Sequence, residues 1–91
     1  MLYLVHMIVD IPASLPAEEA ARIKAEEKAY SQDLQRSGKW PHIWRVVGQY
    51  ANYSVFDVES NEELHNLISA LPLFPYMQIT VTPLATHPSA I

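Results

Sequence analysis

The segment that most limits the fold is the first one, MLYLVHMIVD, which is apolar at both odd and even positions. Successive side chains of a strand point to opposite faces, so each face of this segment carries its own apolar set. The even set is Leu2, Leu4 and Ile8, and the odd set is Tyr3, Val5, Met7 and Val9. A strand of this kind is stable only when both faces are covered, which predicts a layer on each side of its sheet.

The chain is short for a two-sided core. It has 91 residues, of which 49% are hydrophobic, and it contains no cysteine. A chain of this length forms one domain, residues 1–91, and buries a smaller fraction of its surface than a larger domain does. Without disulfides to compensate, we expect the protein to be a homo-oligomer.

Helix and strand signals follow one another along the chain. SLPAEE predicts a helix start with Ser14 near the cap and Pro16 in the first turn, and Gly38 suits the position just after the helix end. WPHIWRVVG and YANYSVFDV predict a hairpin that turns near Gly48. Ser60 and Glu63 form a capping-box pattern, which predicts a second and shorter helix.

The last part of the chain predicts one more strand and a tail. Pro72 and Pro75 stop the second helix, and YMQITVT predicts a strand with its apolar side chains inward. Those inward side chains are Met77, Ile79 and Val81. Residues 83–91 have no periodicity, so we expect them to pack as a tail on a neighbouring subunit.

The element order is therefore β-α-β-β-α-β, the order of an α+β, ferredoxin-like fold. This fold places two helices on one face of a four-stranded antiparallel sheet and leaves the other face bare. Because the first strand is apolar on both faces, the bare face is expected to meet the sheet of a second subunit, as in a dimeric α+β barrel.

Glu27 is out of place on the first predicted helix. At about 100° per residue it falls inside the apolar stripe of that helix, whereas Glu26 falls outside it. A buried carboxylate is costly unless it has a partner or a function. The alternatives are that Glu27 reaches water or pairs with Lys24 or Lys28, or that a rotated helix makes Glu26 the functional carboxylate.

A second polar set lies on the hairpin. Tyr50, Asn52 and Ser54 share one face of the predicted strand, and a helix laid over the sheet would bring Glu27 to face them. These groups predict a small-ligand pocket. Its apolar wall is expected from Phe56, Met7, Trp44 or Tyr76. The alternative is ordinary polarity at a hairpin end, which fits Ser54 least well.

Other functional classes lack support in the sequence. A net charge of -4 with six scattered Lys and Arg residues argues against a nucleic-acid partner. The N-terminal segment has neither the features of a signal peptide nor the length of a membrane span, so we expect a cytoplasmic protein without a membrane partner. Neither the histidines nor the glycines have the spacing of a metal site or a phosphate loop, so no metal or cofactor is expected. They are His6, His42, His65 and His87, and Gly38 and Gly48.

Three segments of the chain carry a resemblance to a known family. IKAEEK around Glu27, WPHIWRVVGQYANYSVFDV and LPLFPYM resemble muconolactone isomerase (muconolactone delta-isomerase), and the likeness runs from residue 1 to about residue 89. The resemblance implies cofactor-free isomerisation of muconolactone to 3-oxoadipate enol-lactone, in the catechol branch of the β-ketoadipate pathway of aromatic degradation. It also implies a homodecamer built from barrel dimers.

The resemblance also suggests roles for the residues singled out above. Glu27 would take a proton from the lactone and return it, because burial in an apolar stripe raises its pKa. Hydrogen bonds to the lactone oxygen would come from Tyr50, Asn52 or Ser54. The cation that holds the substrate carboxylate would be Arg45, Lys24 or His42. The alternatives are chloromuconolactone dehalogenase of the same family and a non-catalytic ligand-binding barrel.

Overall fold

The structure is a computed structural model that describes residues 1–91. Its elements follow the predicted order, β-α-β-β-α-β, with a single 3-10 turn before the last strand. They are β1 (Leu2–Val9), α1 (Ala17–Arg36), β2 (His42–Arg45), β3 (Ala51–Asp57), α2 (Asn61–Ser69), the 3-10 turn Phe74–Tyr76, and β4 (Met77–Leu84). The predicted ferredoxin-like fold class is confirmed.

The sheet is antiparallel throughout and has the strand order β2-β3-β1-β4. The central strand β1 pairs on one side with β3, where Val5 lies opposite Ser54, and on the other with β4, where Val5 lies opposite Val81. On the outer side of β3, Ile43 of β2 lies opposite Ser54. The odd residues of β1 therefore share one face with the inward residues of all three other strands.

Both helices pack on this face. The core joins Tyr3, Val5 and Met7 of β1 to Leu64 and Ile68 of α2, and the partly buried side chains of α1 pack against the same cluster. The remaining members are Trp40, Phe56, Val58 and Leu71, with Tyr30, Leu34, Leu67, Met77 and Ile79 around them. The inward direction predicted for β4 is confirmed by its register with the odd residues of β1.

The opposite face of the sheet has no layer over it within the chain. Large apolar side chains are exposed there, among them Leu2 (45%), Trp44 (55%) and Tyr53 (43%). His6 stacks on Tyr53 with ring centroids 4.5 Å apart. Exposed apolar area of this kind is typical of a protein interface, and its coverage by a second subunit stays a prediction.

Several element boundaries differ from the sequence prediction, and β3 is Ala51–Asp57, one residue shorter at each end than the predicted strand. The residue at the N-cap of α1 is Pro16, so Ser14 is not the cap; the predicted end is confirmed, since Gly38 has a φ of 83° just after the C-cap Ser37. The strand β2 covers only His42–Arg45 of the longer predicted segment. The strand β4 continues through Pro83 and Leu84, so the tail begins at residue 85 rather than 83.

Pro83 is tolerated in β4 because this strand pairs only with β1 and forms an edge of the sheet. None of the helices is both long and apolar enough to cross a membrane.

Candidate active site

A cleft of about 440 Å³ lies between α1 and one end of the sheet. Its volume is within the usual range of small-ligand sites, about 300–1,000 Å³. The cleft is lined by apolar side chains with a few charged and polar groups among them. The lining residues are Val9, Lys24, Glu27, Lys28, Ser31, Trp40, Ile43, Arg45, Tyr50, Ala51, Asn52, Leu73 and Met77.

Glu27 is the only carboxylate that lines the cleft. It lies in the partly buried stripe of α1 with Ile23 and Tyr30, as the periodicity predicts. Its Oε1 accepts a hydrogen bond of 2.8 Å from the backbone N–H of Leu73, and it forms no ion pair. The carboxylate is therefore held by one oxygen, while Oε2 has no partner within the chain.

The surroundings of Glu27 favour its neutral form. Burial raises the pKa of the Glu27 carboxyl above its ordinary value, and the hydrogen bond from Leu73 opposes this effect only in part. A carboxylate with a raised pKa is a stronger base than an ordinary one and, once protonated, still able to return its proton near neutral pH.

Glu26, the alternative functional carboxylate, faces away from the cleft. It is exposed, and its Oε1 accepts a hydrogen bond of 2.9 Å from Arg22 one helical turn earlier. The helix rotation that would bring Glu26 inward is not observed. Of the two adjacent glutamates, only Glu27 has access to the cleft.

Asn52 and Ser54 share the inner face of β3, but they reach the cleft differently. Ser54 is fully buried and does not line the cleft; its hydroxyl donates a hydrogen bond of 2.7 Å to Oδ1 of Asn52. Asn52 does line the cleft, and its Nδ2 donates to no other group of the chain. Ser54 thus orients the Asn52 amide so that an N–H donor remains free.

Tyr50 lies in the hairpin loop just before β3 and lines the cleft beside Arg45. The Arg45 guanidinium sits over the Tyr50 ring, 5.3 Å from its centroid, an arrangement that limits the freedom of both exposed side chains. The Tyr50 backbone carbonyl accepts a hydrogen bond of 3.0 Å from Val9, which ties the loop to the end of β1.

Two of the three predicted carboxylate-binding cations line the cleft, and one does not. Lys24 projects from α1 and Arg45 from β2, on opposite sides of the cleft. His42 is a correction to the predicted set. It stands opposite Val55 on the bare face of the sheet and stacks on Trp44 with ring centroids 5.1 Å apart. Side chains alternate along β2, so His42 points to the face opposite to that of Arg45 and away from α1.

The apolar wall is made of residues other than those predicted. The cleft lining does not include Met7, Phe56, Trp44 or Tyr76; Val9, Trp40, Ile43, Leu73 and Met77 form the wall instead. Met7 and Phe56 are fully buried in the core.

Trp40 lines the cleft, although the sequence did not predict it as a site residue. It is 1% exposed, stacks on Phe56 at 4.5 Å, and its buried Nε1–H has no hydrogen-bond partner within the chain. The segment WPHIWRVVG predicts a strand that includes Trp40, in which this side chain would share the face of His42 and Trp44. Pro41 separates it from β2, so strand alternation does not extend to it.

Comparison with known proteins identifies the family. The family model described as Muconolactone delta-isomerase matches residues 1–90. The chain is 67% identical to Muconolactone Delta-isomerase 1 of Acinetobacter lwoffii, with 100% of this chain and 95% of that protein covered. It is 65% identical to Muconolactone Delta-isomerase of Cupriavidus pinatubonensis, with 100% and 99% covered. The chain belongs to the muconolactone delta-isomerase family.

A solved member of the family has the same fold. The crystal structure of a muconolactone isomerase superposes with a TM-score of 0.95 at 53% sequence identity, covering 100% of this chain and 95% of that one. The three segments that resemble the muconolactone delta-isomerase family in sequence converge on the cleft. IKAEEK contributes Glu27, the hairpin contributes Arg45 and Asn52, and LPLFPYM contributes the Leu73 N–H that holds Glu27.

The structure contains no group of three or more His, Cys, Asp or Glu side chains placed to hold a metal ion. The expectation that the protein works without a metal or cofactor stays a prediction. It is testable by dialysis against a chelator, which is expected to leave turnover unchanged.

Proposed function

We propose that this protein is a muconolactone delta-isomerase that converts muconolactone to 3-oxoadipate enol-lactone. Family membership supports the reaction, and one observation in the structure carries the mechanism. That observation is the half-buried Glu27 carboxylate, which lies in a ligand-sized cleft with a raised pKa and no cation paired to it.

The reaction requires one base that can also act as an acid. Removal of the γ proton from the unsaturated lactone gives a dienolate, and protonation of its α carbon shifts the double bond without net loss of atoms. In the proposed mechanism Oε2 of Glu27 takes the γ proton and delivers it to the α carbon. The Leu73 N–H holds Oε1 and so fixes the orientation of the carboxylate during both steps.

The dienolate places negative charge on the lactone oxygen, which calls for a donor opposite Glu27. Asn52 is the best placed of the three predicted donors, because its Nδ2 is free while its Oδ1 is held by Ser54. Tyr50 supplies a second donor from the hairpin loop. Removal of a donor from an oxyanion site typically costs about 3 kcal/mol of transition-state stabilisation. Ser54 acts through Asn52 rather than on the substrate.

The free carboxylate of the lactone requires a cation. Arg45 can bind a carboxylate through two parallel N–H groups, and its stacking on Tyr50 holds the guanidinium at the cleft. Lys24 offers a point charge from the opposite wall. His42 is left out of the proposal because it lies on the other face of the sheet.

The two alternative functions differ in their support. The relatives described above carry the isomerase name, which favours isomerisation over dehalogenation. A ligand-binding barrel without activity would be favoured by an exposed Glu27 paired with Lys28, and neither is observed. A coupled assay with muconolactone and its 5-chloro analogue separates isomerase from dehalogenase, since only the latter reaction releases chloride.

We also propose that the subunits assemble through the bare sheet face into dimers and then a decamer. The exposed apolar residues of that face support an interface. The cytoplasmic location expected from the sequence stays a prediction.

The substitution Glu27→Gln tests the mechanism. The amide keeps the shape of the side chain and can still accept the Leu73 hydrogen bond, but it cannot accept the substrate proton. We expect kcat to fall about a hundredfold or more with little change in KM, because loss of a general base has an effect of this size.

Glu26→Gln is the matched control. It makes the same chemical change one residue earlier, outside the cleft, and is expected to leave turnover near that of the wild type. Retention of a tenth of wild-type kcat by Glu27→Gln would remove Glu27 from the mechanism.

A further inference from the structure

The six basic side chains of the chain divide into two groups. Arg22, Arg36 and Lys39 each form an ion pair with a carboxylate, and none of them lines the cleft. The other basic side chains, Lys24, Lys28 and Arg45, form no ion pair, and all of them line the cleft. In a protein of net charge -4, carboxylates are abundant, so unpaired cations gathered at one place indicate an anionic ligand.

None of these three cations is paired with Glu27. It makes no ion pair with the lysines on either side of it in the helix, and the effects that shift its pKa are burial and the Leu73 hydrogen bond. Two unit positive charges in the cleft therefore remain uncompensated even when Glu27 is ionised. The lactone monoanion supplies only one negative charge to match them.

The cations occupy two walls. Lys24 and Lys28 are four residues apart, so they lie next to each other on one side of α1, with their Cβ atoms about 6 Å apart. Arg45 lies on β2 across the cleft, held over the Tyr50 ring. A linear molecule with a carboxylate at each end can place one end against Arg45 and the other against the lysine pair.

We infer that the cleft is also a binding site for linear six-carbon dicarboxylates. Arg45 holds one carboxylate, and Lys24 and Lys28 hold the second one, which the lactone does not have. Opening of the lactone ring by hydrolysis turns the ring ester into a second carboxylate. The ring-opened dianions match the charge of the cleft better than the lactone does, and they act as competitive inhibitors.

The chemistry of the lactone relates it to linear dicarboxylates. A lactone with a carboxylate arm arises by ring closure of an unsaturated dicarboxylate, and an enol-lactone is consumed by hydrolysis to an oxo-dicarboxylate. Both neighbouring reactions thus involve dianions of the class that the cleft is inferred to bind. Inhibition rests on the proposed function, whereas binding of a dicarboxylate can be measured without any turnover.

Calorimetric titration of the full-length protein with adipate and with hexanoate tests the inference. The two probes have the same number of carbon atoms and differ by one carboxylate. At neutral pH and low ionic strength we expect adipate to bind about five- to tenfold tighter, since each partly exposed charge pair adds up to about 1 kcal/mol. Lys24→Met with Lys28→Met is expected to make the two affinities equal.

Arg22→Met is the matched control. It removes the same charge from the same helix outside the cleft and is expected to keep the wild-type ratio. Equal affinities of the wild type for adipate and hexanoate, or an unchanged ratio in the double lysine variant, would overturn the inference. Turnover of muconolactone is measured separately. Adipate binding without turnover would refute the proposed function alone. Turnover without preferential adipate binding would refute the dicarboxylate site alone.

Discussion

In the proposed mechanism, the partial burial that makes the Glu27 carboxylate unfavourable for folding also makes it suitable as a base. Its place in the stripe of α1 removes the carboxylate partly from water, which raises its pKa. The hydrogen bond from Leu73 offsets part of this cost. Glu26, by contrast, is exposed and paired with Arg22, so it is not removed from water in this way.

The raised pKa of Glu27 predicts the pH dependence of activity. Because the base must be ionised to take a proton, kcat/KM is expected to fall as the pH is lowered through the pKa of Glu27 in the free protein. Since burial raises this pKa, the fall is expected at higher pH than for an ordinary glutamate, whose pKa is about 4.3. A pH profile of kcat/KM measures it, and a profile that is flat down to that value would contradict it.

The same shift predicts a stability effect of Glu27→Gln. At pH values between the ordinary and the raised pKa, the folded protein binds more protons at Glu27 than the unfolded chain does. The free energy of unfolding therefore falls as the pH rises through this window and stays lowered above it.

The Glu27→Gln side chain is neutral at every pH, so this variant does not undergo the fall in the free energy of unfolding. Its melting temperature at pH 7 is therefore expected to equal or exceed that of the wild type. The difference is expected to vanish below the ordinary glutamate pKa, where both side chains are neutral. Thermal melts across this pH range, at fixed protein concentration, provide the measurement. A variant that is clearly less stable than the wild type at pH 7 would show that the Leu73 contact outweighs the cost of burial.

Sequence periodicity could locate Glu27 and Asn52, because the positions of side chains on a helix or strand face follow from residue spacing alone. It could not find the Leu73 N–H, since a backbone donor leaves no trace in residue type. Trp40 was misplaced because Pro41 ends strand alternation. The predicted burial of Ser54 on the face of Asn52 is confirmed, but its hydroxyl donates its hydrogen bond to Asn52 in the same strand.

At the scale of elements, the order and type of every helix and strand could be predicted, together with the end of α1 and the start of α2, whereas the ends of the strands could not. The hairpin shows why. Gly48 has a φ of 78° and marks the turn, and β2 ends at Arg45. The next residue, Val46, donates its N–H to the carbonyl of Ala51 at the start of β3 and accepts a bond from the Gln49 N–H, which closes the loop. The type of each residue does not predict backbone hydrogen bonds of this kind, so the last residue of the strand could not be predicted.

The start of α2 was predicted from its capping pattern, and the structure shows the bond. The Ser60 side chain accepts a hydrogen bond of 3.1 Å from the Glu63 backbone N–H. Ser60→Ala is expected to lower the free energy of unfolding by about 1 kcal/mol, because an N–H at the helix start loses its partner. Urea denaturation at fixed protein concentration measures this change.

Ser69→Ala, at the exposed other end of α2, is the control for Ser60→Ala. It is expected to change the free energy of unfolding by no more than about 0.5 kcal/mol. Equal effects of the two substitutions would mean that the Ser60 cap adds nothing to stability.

At the scale of the whole molecule, the uncovered sheet face is the surface that we propose as the interface between subunits. Leu4 lies near its middle, opposite Val55 on one neighbouring strand and Thr82 on the other. Leu4→Glu would place a carboxylate in the proposed interface, where desolvation without a partner is unfavourable. We expect this variant to sediment as a smaller species than the wild type.

Val47→Glu makes the same change in the hairpin loop, where Val47 is 95% exposed, and is expected to leave the assembly intact. If Leu4→Glu sediments like the wild type, the bare face is not the interface and the subunits must associate through another surface.

The tail is the part of the chain that follows β4, and it forms no helix or strand of its own. Residues 85–91 are all exposed, and their backbone bonds are local, such as the one from Ala90 N to the His87 carbonyl. Pro88 restricts the tail, so its docking on a neighbouring subunit would cost less conformational entropy than docking of a freely flexible segment. We therefore expect the tail to pack on a neighbour near the mouth of the neighbour's cleft.

Truncation tests the tail, and the structure determines where the cut must be made. Pro83 and Leu84 pair with β1, so a cut after Thr82 would damage β4, whereas a cut after Leu84 removes the tail alone. We expect the truncated protein to form a smaller assembly in sedimentation and to turn over substrate more slowly. Replacement of residues 85–91 by Gly and Ser, which keeps the length but removes the apolar and proline side chains, should have the same effect. If the truncated protein sediments and turns over like the full chain, the tail has neither role, and the assembly must depend on contacts of the sheet and helices.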